Sequence, residues 1–468
     1  MKKLIPLLLA WALVACTEKN PVLTVSGGSL IGEKLPGEKV YVYKGIPYAA
    51  PPVGELRWKA PQPVIPWEGV REALEFGHPA MQAAHTPGGY TPEFFYEGDP
   101  AFSEDCLTLN IWTSRPGKPE AGLPVVLWLH GGGYVAGWSS EPEMDGAEWA
   151  RRGVVMVSAN YRLGILGFLA HPALSAEDPN GVSGNYGMLD QIAALKWIRE
   201  NIAQFGGDPE NVTIMGQSAG AASVQTLCVS PLSRGLFNKA IIQSGRSVAP
   251  ENDNTAGADM ETVLANDKAM MDWAGYETLE QMRAAPAEKM VSLANEYMRE
   301  SGNRGPFGTA PVVDGYALPE RFSTATYGGR IAQIPYMVGM VSGDNPRIRP
   351  GIRAFAAERA NAGQPVYTYV FDRPLPTDGR EGVLEGAFHS AELWYTFHTL
   401  DRCWRPFKEG DYALADRMIE AWTSFVKTGN PNGNGPEVWK PYSADAPDAM
   451  YFRVSADETQ AVCGMEAL

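Results

Sequence analysis

Short apolar runs alternate with amphipathic stretches through the middle of the chain. Almost wholly apolar runs predict buried strands at 125–129, 154–158, 212–215 and 240–243. Before the third run, apolar side chains from Leu189 to Ile202 repeat at three- and four-residue spacing, which is typical of an amphipathic helix. Apolar strands that alternate with helices indicate a mostly parallel sheet covered by helices on both faces. We therefore expect an α/β protein.

The same patterns extend this picture toward both ends. Further strands are expected at 22–31 with a break at Gly27-Gly28, and at 40–43, 107–112, 335–341 and 366–371. Helices are expected around 147–151 and over 413–426, the latter ending at Gly429. Residues from about 255 to 300 are helical in pattern without a strand signal, which predicts a helical cap beside the sheet.

The first residues are typical of an export signal. Lys2 and Lys3 precede an apolar run that closes as Leu13-Val14-Ala15-Cys16, which resembles a bacterial lipobox; a chance cysteine after an ordinary cleaved signal is the alternative. The run is too short for a membrane span. We expect residues 1–15 to be a lipoprotein signal peptide, Cys16 to be lipidated, 16–21 to be a tether and 22–468 to form a single domain. The protein would then be exported and lipid-anchored to a bacterial envelope membrane, its only contact with a membrane.

Composition narrows the choice of partners. The chain of 468 residues is 45% hydrophobic, which is ample for a core, and its formal net charge is −15. An acidic surface repels phosphate backbones, so we expect no nucleic-acid partner. Without Cys16, four cysteines remain, and up to two disulfides or free buried thiols are compatible with the sequence.

The strongest motif is Gly216-Gln217-Ser218-Ala219-Gly220, which lies between a predicted strand and a predicted helix. This context is the one in which G-x-S-x-G forms a nucleophile elbow, a sharp turn that exposes the serine hydroxyl near a helix N-terminus. Chance occurrence is the alternative, because the chain contains 50 glycines. The flanking strand and helix favour Ser218 as a nucleophile.

A second motif, His130-Gly131-Gly132-Gly133, directly follows the strand predicted at 125–129. Such a loop can present backbone N–H groups to an oxyanion. A dinucleotide-binding loop is the alternative, but its glycine spacing fails at Ala136. The strand at 154–158 also leads into Ala159-Asn160 and not into the acidic residue that would bind a ribose.

A serine nucleophile needs a base, and histidine is the usual one. In the α/β-hydrolase order the histidine follows the serine, which leaves His389 and His398. His398 lies among Tyr395, Phe397 and Leu400 and is interpreted as a packed helix residue, so His389 is the expected base. His130 belongs to the glycine loop and is expected to be structural.

Several segments together resemble the type-B carboxylesterases, the family of cholinesterases and bacterial esterases. The matching segments are 43–49, 103–110, 160–164, 184–187, 205–209, the elbow itself, 243–245, 386–389 and 427–431. The resemblance implies an α/β-hydrolase fold and an oxyanion hole built from the N–H groups of Gly132, Gly133 and Ala219. It also implies a carboxylate in the aligned segment 339–345, where the family usually has Glu and this chain has Asp344.

The chain departs from the family at three places. Besides the aspartate at 344, the region 78–82 reads His-Pro-Ala-Met-Gln where a cysteine is usual, so we expect its disulfide to be absent. Only 45 positions separate residues 344 and 389, fewer than is usual, so we expect a reduced cap and a wider site. A shortened segment could have moved the acid, which leaves Asp372, Glu381 and Glu385 as alternatives to Asp344.

These residues together predict a carboxylic-ester hydrolase that works through an acyl-enzyme. His389 would take the proton of Ser218, Asp344 would orient His389, and the substrate would be a small-molecule ester. This chemistry requires neither a metal nor another cofactor. The alternative is a non-catalytic cell-surface binding or adhesion protein on the same fold, a role known among relatives that have lost the serine or the histidine.

Overall fold

The computed structural model of the protein describes residues 20–436 and 438–468. The predicted signal peptide, the lipidation site Cys16 and the first part of the tether lie outside the described residues. Within the described ranges, no helix combines the length and apolar character that crossing a membrane requires.

The strands, numbered in chain order, form the centre of the fold. They are β1 Val22–Val25, β2 Gly28–Ile31, β3 Glu33–Lys34, β4 Tyr41–Pro47, β5 Val70–Glu72, β6 Thr108–Thr113, β7 Leu123–Leu129, β8 Val155–Ala159, β9 Gly207–Gln217, β10 Lys239–Gln243, β11 Ala258–Asp259, β12 Val312–Val313, β13 Tyr336–Val341, β14 Val366–Phe371, β15 Asp448–Val454 and β16 Ala461–Ala467.

The α-helices are numbered in the same way. They are α1 Thr91–Phe94, α2 Ala147–Arg151, α3 Gly164–Phe168, α4 Pro172–Glu177, α5 Tyr186–Asn201, α6 Ala219–Leu227, α7 Met260–Trp273, α8 Leu279–Ala284, α9 Ala287–Ser301, α10 Phe322–Tyr327, α11 Ile348–Asn361, α12 Leu393–Thr396 and α13 Glu409–Thr428. Single 3-10 turns occupy Gly54–Leu56, Pro119–Ala121, Pro142–Met144, Ile202–Phe205, Pro231–Ser233, Pro250–Asn252 and Leu400–Arg402.

One large mixed sheet organises these elements. Its strand order is β16-β15-β14-β13-β10-β9-β7-β8-β6-β4-β3. From β15 to β8 neighbouring strands run parallel, whereas β16 at one edge and β6, β4 and β3 at the other pair antiparallel. Parallel strands place their carboxyl ends at one edge, where the loops that follow them meet. The sheet is the α/β-hydrolase architecture expected from the sequence.

Helices cover both faces of this sheet. One apolar cluster packs α5, α6 and α11 against one face through side chains such as Leu195, Val224 and Phe355. A second cluster packs α2 and α13 against the other face and includes Trp149 and Trp422. Because both faces are covered, the strands carry apolar residues without alternation.

A separate apolar cluster holds the small cap. Met270, Met282 and Met290 of α7, α8 and α9 pack with Ile165 and Leu166 of α3. The helical pattern over 255–300 is thus realised as these three helices. The expectation that this segment has no strand is wrong at one point, since β11 pairs with β12 in a two-residue ladder. That ladder is too short for a residue pattern to reveal it.

Element limits also differ from the expected ones. The helix expected over 413–426 begins earlier, at Glu409, and ends before Gly429, which adopts φ 78°. Its first turn is polar and therefore lies outside the apolar repeat. The strand expected at 212–215 extends from Gly207 to Gln217, so it reaches the serine motif directly.

Candidate active site

Ser218 occupies a strained turn between β9 and α6. Its backbone has φ 56° and ψ −119°, a conformation that non-glycine residues rarely adopt and that costs about 1–3 kcal/mol. A Cβ on Gly220 would lie 1.9 Å from the carbonyl oxygen of Leu129, and one on Gly216 would lie 2.4 Å from the backbone of Gly220. Glycine at both positions therefore allows the strand, turn and helix to approach this closely. The turn leaves Ser218 partly exposed.

The glycine loop after β7 lies against this serine. A Cβ on Gly131 would come within 3.3 Å of the Ser218 Cβ. Gly132 and Gly133 have φ 94° and 65°, and in the described part of the chain no protein acceptor takes their N–H groups. Ala219 is the first residue of α6, where a backbone N–H has no intrahelical acceptor. Three backbone donors are thus available beside Ser218.

His389 and Asp344 meet at the carboxyl edge of the sheet. His389 Nδ1 lies 2.5 Å from Asp344 Oδ1. The Ser244 hydroxyl donates to Asp344 Oδ2 at 2.6 Å, and the Val341 N–H donates to the same oxygen at 2.9 Å. The Asp344 side chain is fully buried. These donors fix the orientation of the carboxylate toward the imidazole.

Two opposing effects set the protonation of His389. Burial lowers its pKa, the hydrogen bond and charge of Asp344 and the charge of Glu392 raise it, and the net pKa lies above the ordinary 6.5. When the imidazole is neutral, the bond to Asp344 places the proton on Nδ1 and leaves Nε2 as an acceptor. That tautomer is the one a general base requires.

The second ring nitrogen of His389, Nε2, lies on the side of the serine turn. Gln217 Nε2 lies 3.2 Å from His389 Nε2, so the amide is placed to donate to the imidazole. Among the hydrogen bonds of the described residues, none joins the Ser218 hydroxyl to His389. Catalytic hydrogen bonds are often long in the absence of substrate and tighten when the substrate binds.

The other titratable candidates lie elsewhere. His130 is buried and stacks on Tyr161, and burial lowers its pKa to about 4. His398 pairs with Asp416 at 3.1 Å; the interpretation as a packed helix residue is wrong, because His398 follows α12 with φ 56° and is partly exposed. A preceding apolar run made it resemble a helix residue.

The alternative acids are not near His389 in the hydrogen-bond network. Asp372 accepts from Arg453 at 2.7 Å, while Glu381 and Glu385 are exposed. Of the carboxylates considered from the sequence, Asp344 is the one that the structure brings to His389.

Residue patterns did not indicate Glu392, which is fully buried. Burial first, and then the charge of Asp344, raise its pKa to about 7. Gln243 donates to it at 3.4 Å. Its place three residues after His389 was the available signal, but a lone acid in the segment 390–397 resembles an exposed helix position.

All four described cysteines are free thiols: Cys106, Cys228, Cys403 and Cys463. In the region where the family usually has a cysteine, Gln82 is buried and its amide group exchanges hydrogen bonds with Gly137, at 2.8 and 3.1 Å. This contact ties the segment around residue 82 to the chain that continues from the glycine loop.

A serine on a strand–turn–helix corner of a large mixed sheet, with a histidine–carboxylate pair across the same edge, defines the class of α/β-hydrolases. Residues 19–353 and 347–466 match the model of the carboxylesterase family. The chain belongs to that family and is a carboxylesterase of the serine type.

Known proteins agree with this assignment over most of their length. The chain is 35% identical to a fumonisin B1 esterase of Sphingopyxis macrogoltabida, covering 91% of this chain and 86% of that protein. It is 31% identical to a para-nitrobenzyl esterase of Bacillus subtilis, covering 92% and 94%. Among solved structures, a carboxylesterase of Geobacillus stearothermophilus is similar with a TM-score of 0.76 and 32% identity, covering 95% and 98%.

Proposed function

We propose that the protein hydrolyses carboxylic esters through an acyl-enzyme on Ser218. His389 Nε2 accepts the Ser218 proton while Oγ attacks the ester carbonyl carbon, and the proton then goes to the leaving alcohol. Water, deprotonated by His389, then attacks the acyl carbon. The bond from that carbon to Ser218 Oγ breaks, His389 returns the proton to Oγ, and the acid is released. The observation that carries the proposal is the 2.5 Å contact of His389 with Asp344 across from the strained Ser218 turn.

The backbone donors of Gly132, Gly133 and Ala219 are the proposed oxyanion hole. The oxyanion of the tetrahedral intermediate would accept hydrogen bonds from these N–H groups. Loss of one such donor costs about 10²–10³ in kcat in other serine hydrolases. The free N–H groups of the glycine loop and the start of α6 support this role.

Replacing the serine and each histidine tests the assignment. Ser218→Ala is expected to lower turnover of a simple aryl ester by about 10⁶-fold, and His389→Ala by a similar factor. His398→Ala, the matched control, keeps turnover. A fluorophosphonate probe should label wild type and not Ser218→Ala. A folded wild-type protein that neither labels nor turns over esters would instead favour the non-catalytic adhesion role.

We also propose that the enzyme is exported and anchored through a lipid on Cys16. The support is the sequence Leu13-Val14-Ala15-Cys16 after an apolar run. Cys16→Ser is expected to release the protein from membranes, because stable anchoring needs the several acyl chains that lipoproteins carry. Mass spectrometry of the native N-terminus decides it: an unmodified N-terminus at another residue would contradict the anchor.

A further inference from the structure

A cleft of about 740 Å³ opens beside the glycine loop. Tyr134, Val135 and Ala136, which continue that loop, form one wall, and Val291, Asn295 and other residues of α9 form another. The loop itself positions the free N–H groups of Gly132 and Gly133. A molecule whose ester carbonyl lies at these donors therefore has this cleft available for the rest of its structure.

The charged groups of the cleft all have one sign. Arg246, Arg304 and Arg321 line it, and the described lining residues include neither Asp nor Glu. The chain as a whole carries a net charge of −15, so this concentration of cations runs against the overall charge. Low-dielectric walls strengthen the field of such a cluster on a bound ligand.

Two of these arginines have no anionic partner of their own. Arg321 is neutralised by Asp253 at 3.5 Å, and it donates to the Thr255 carbonyl at 2.8 Å. Arg246 and Arg304 are exposed, and neither forms an ion pair with any residue that the structure describes. Two guanidinium groups that face one cleft without a carboxylate are therefore available to a ligand.

Arg246 is held close to the reacting groups. Its backbone N–H donates to the Gln225 side chain at 3.1 Å, and its carbonyl accepts from the same amide at 2.9 Å. Gln225 lies on α6, the helix that starts directly after Ser218. Two residues before Arg246, the Ser244 hydroxyl is bound to Asp344. The chain is thus fixed on both sides of this position.

We infer that the substrates of this enzyme are esters that carry a free carboxylate, which Arg246 and Arg304 bind in the cleft while the ester reaches Ser218. The planar guanidinium group suits a carboxylate because two parallel N–H groups match its two oxygens. This inference rests on the proposed function and specifies its substrate class. The carboxylate can belong to the acid half or to the alcohol half of the ester.

Matched ester pairs separate these two sources. Monomethyl glutarate against methyl valerate varies the acid half, and 4-(butyryloxy)benzoate against 4-methylphenyl butyrate varies the alcohol half. For each pair, kcat/KM is measured by pH-stat at low ionic strength. We expect the anionic ester to be preferred in at least one pair, and the pair concerned identifies which half carries the carboxylate.

The double variant Arg246→Gln/Arg304→Gln is expected to lower the ratio of kcat/KM for the anionic ester to kcat/KM for the neutral ester. The expected decrease is roughly tenfold in that pair. Arg234→Gln, an exposed arginine outside the cleft, is the matched control and should keep the wild-type ratio. Added salt should also reduce the wild-type ratio, because it screens exposed charges. This second readout needs no variant and is independent of any folding defect.

Two outcomes would overturn the inference: a preference for the neutral ester in both pairs, or an anionic preference that the double variant retains. In either case, hydrolysis of the neutral esters by wild type and its loss in Ser218→Ala would leave the proposed function intact. Failure of wild type on every ester would instead count against the proposed function itself.

Discussion

At the scale of single residues, the pKa and orientation of His389 depend on a carboxylate that solvent does not reach. Asp344 is fully buried, and its second oxygen is taken by Ser244 and Val341. An aspartate thus lies here at the position where the family usually has a glutamate. The shorter side chain reaches the imidazole because its loop lies close to the loop of His389.

This environment predicts the acid limb of the pH profile. Burial lowers the pKa of His389, Asp344 and Glu392 together raise it, and the folded pKa lies above 6.5. Protonated His389 cannot accept the Ser218 proton, so kcat/KM should fall as the pH drops through that raised value. A pH series on a neutral aryl ester measures it. An acid limb centred below 6.5 would contradict the assigned balance of effects.

Replacing the acid tests its identity. Asp344→Asn preserves shape but favours the wrong imidazole tautomer, which is expected to lower turnover by up to about 10⁴-fold. Asp372→Asn is the control, since that carboxylate pairs with Arg453 of β15 and not with His389, and it should be nearly silent. Wild-type turnover in Asp344→Asn together with loss in Asp372→Asn would move the acid to residue 372.

At the scale of elements, the site depends on how closely two loops approach. The Gly343 N–H donates to the carbonyl oxygen of Ala387 at 3.0 Å, and a Cβ on Gly343 would lie 2.3 Å from that oxygen. Gly343 is next to Asp344 in the chain, and Ala387 is two positions before His389. The absence of a side chain at 343 therefore lets the acid and the base meet.

Gly343→Ala is expected to push these loops apart and to lower kcat/KM on the order of 10²-fold, the usual effect of a misplacement of about 1 Å. The matched control is Gly464→Ala, because a Cβ at 464 meets nothing within 4 Å. Circular dichroism and kcat/KM of both variants make the comparison. Equal activity of a folded Gly343→Ala and wild type would show that the contact does not position the site.

Sequence patterns predicted the central strands well because those strands are apolar on both faces. They missed α11, since Pro350 and Gly351 resemble helix breakers. Pro350 lies in the first turn, where its missing N–H costs nothing, and a Cβ on Gly351 would lie 2.5 Å from the Cα of Ser247. They also missed β16, whose residues are largely exposed and have no clear alternation.

In the site, too, residues in local motifs could be predicted and residues that depend on distant contacts could not. A local motif identified Ser218, because the elbow needs its glycines at fixed positions. Chain order left two histidines, and a family resemblance indicated Asp344. Glu392, Ser244 and Arg246 depend on contacts between distant segments, and no local pattern reports those contacts.

At the scale of the molecule, a buried ion pair joins loops on the histidine side of the site. Arg405 binds Glu93 through Nε and a terminal nitrogen at 2.8–3.0 Å, and both side chains are at most 1% exposed. Arg405 also donates to the carbonyl groups of Pro376 and Leu384. The pair therefore connects α1 to the loop that precedes His389.

Arg405→Met should lower the free energy of unfolding by about 3–5 kcal/mol, because it leaves the Glu93 carboxylate buried without a cationic partner. Lys268→Met breaks an exposed pair with Asp272 and should cost no more than about 1 kcal/mol. Urea denaturation of both variants gives the comparison. Equal losses in the two variants would mean that the buried pair does not stabilise the fold.

The central claim for the whole molecule is that Ser218 carries the acyl group during turnover. The most direct measurement is rapid acid quenching during hydrolysis of 4-nitrophenyl acetate, followed by peptide mass spectrometry. We predict a burst of nitrophenolate of about one equivalent per enzyme and one acetyl group on the peptide that contains Ser218. Turnover without a burst and without acetylated peptide, or an acetyl group on another residue, would contradict the account.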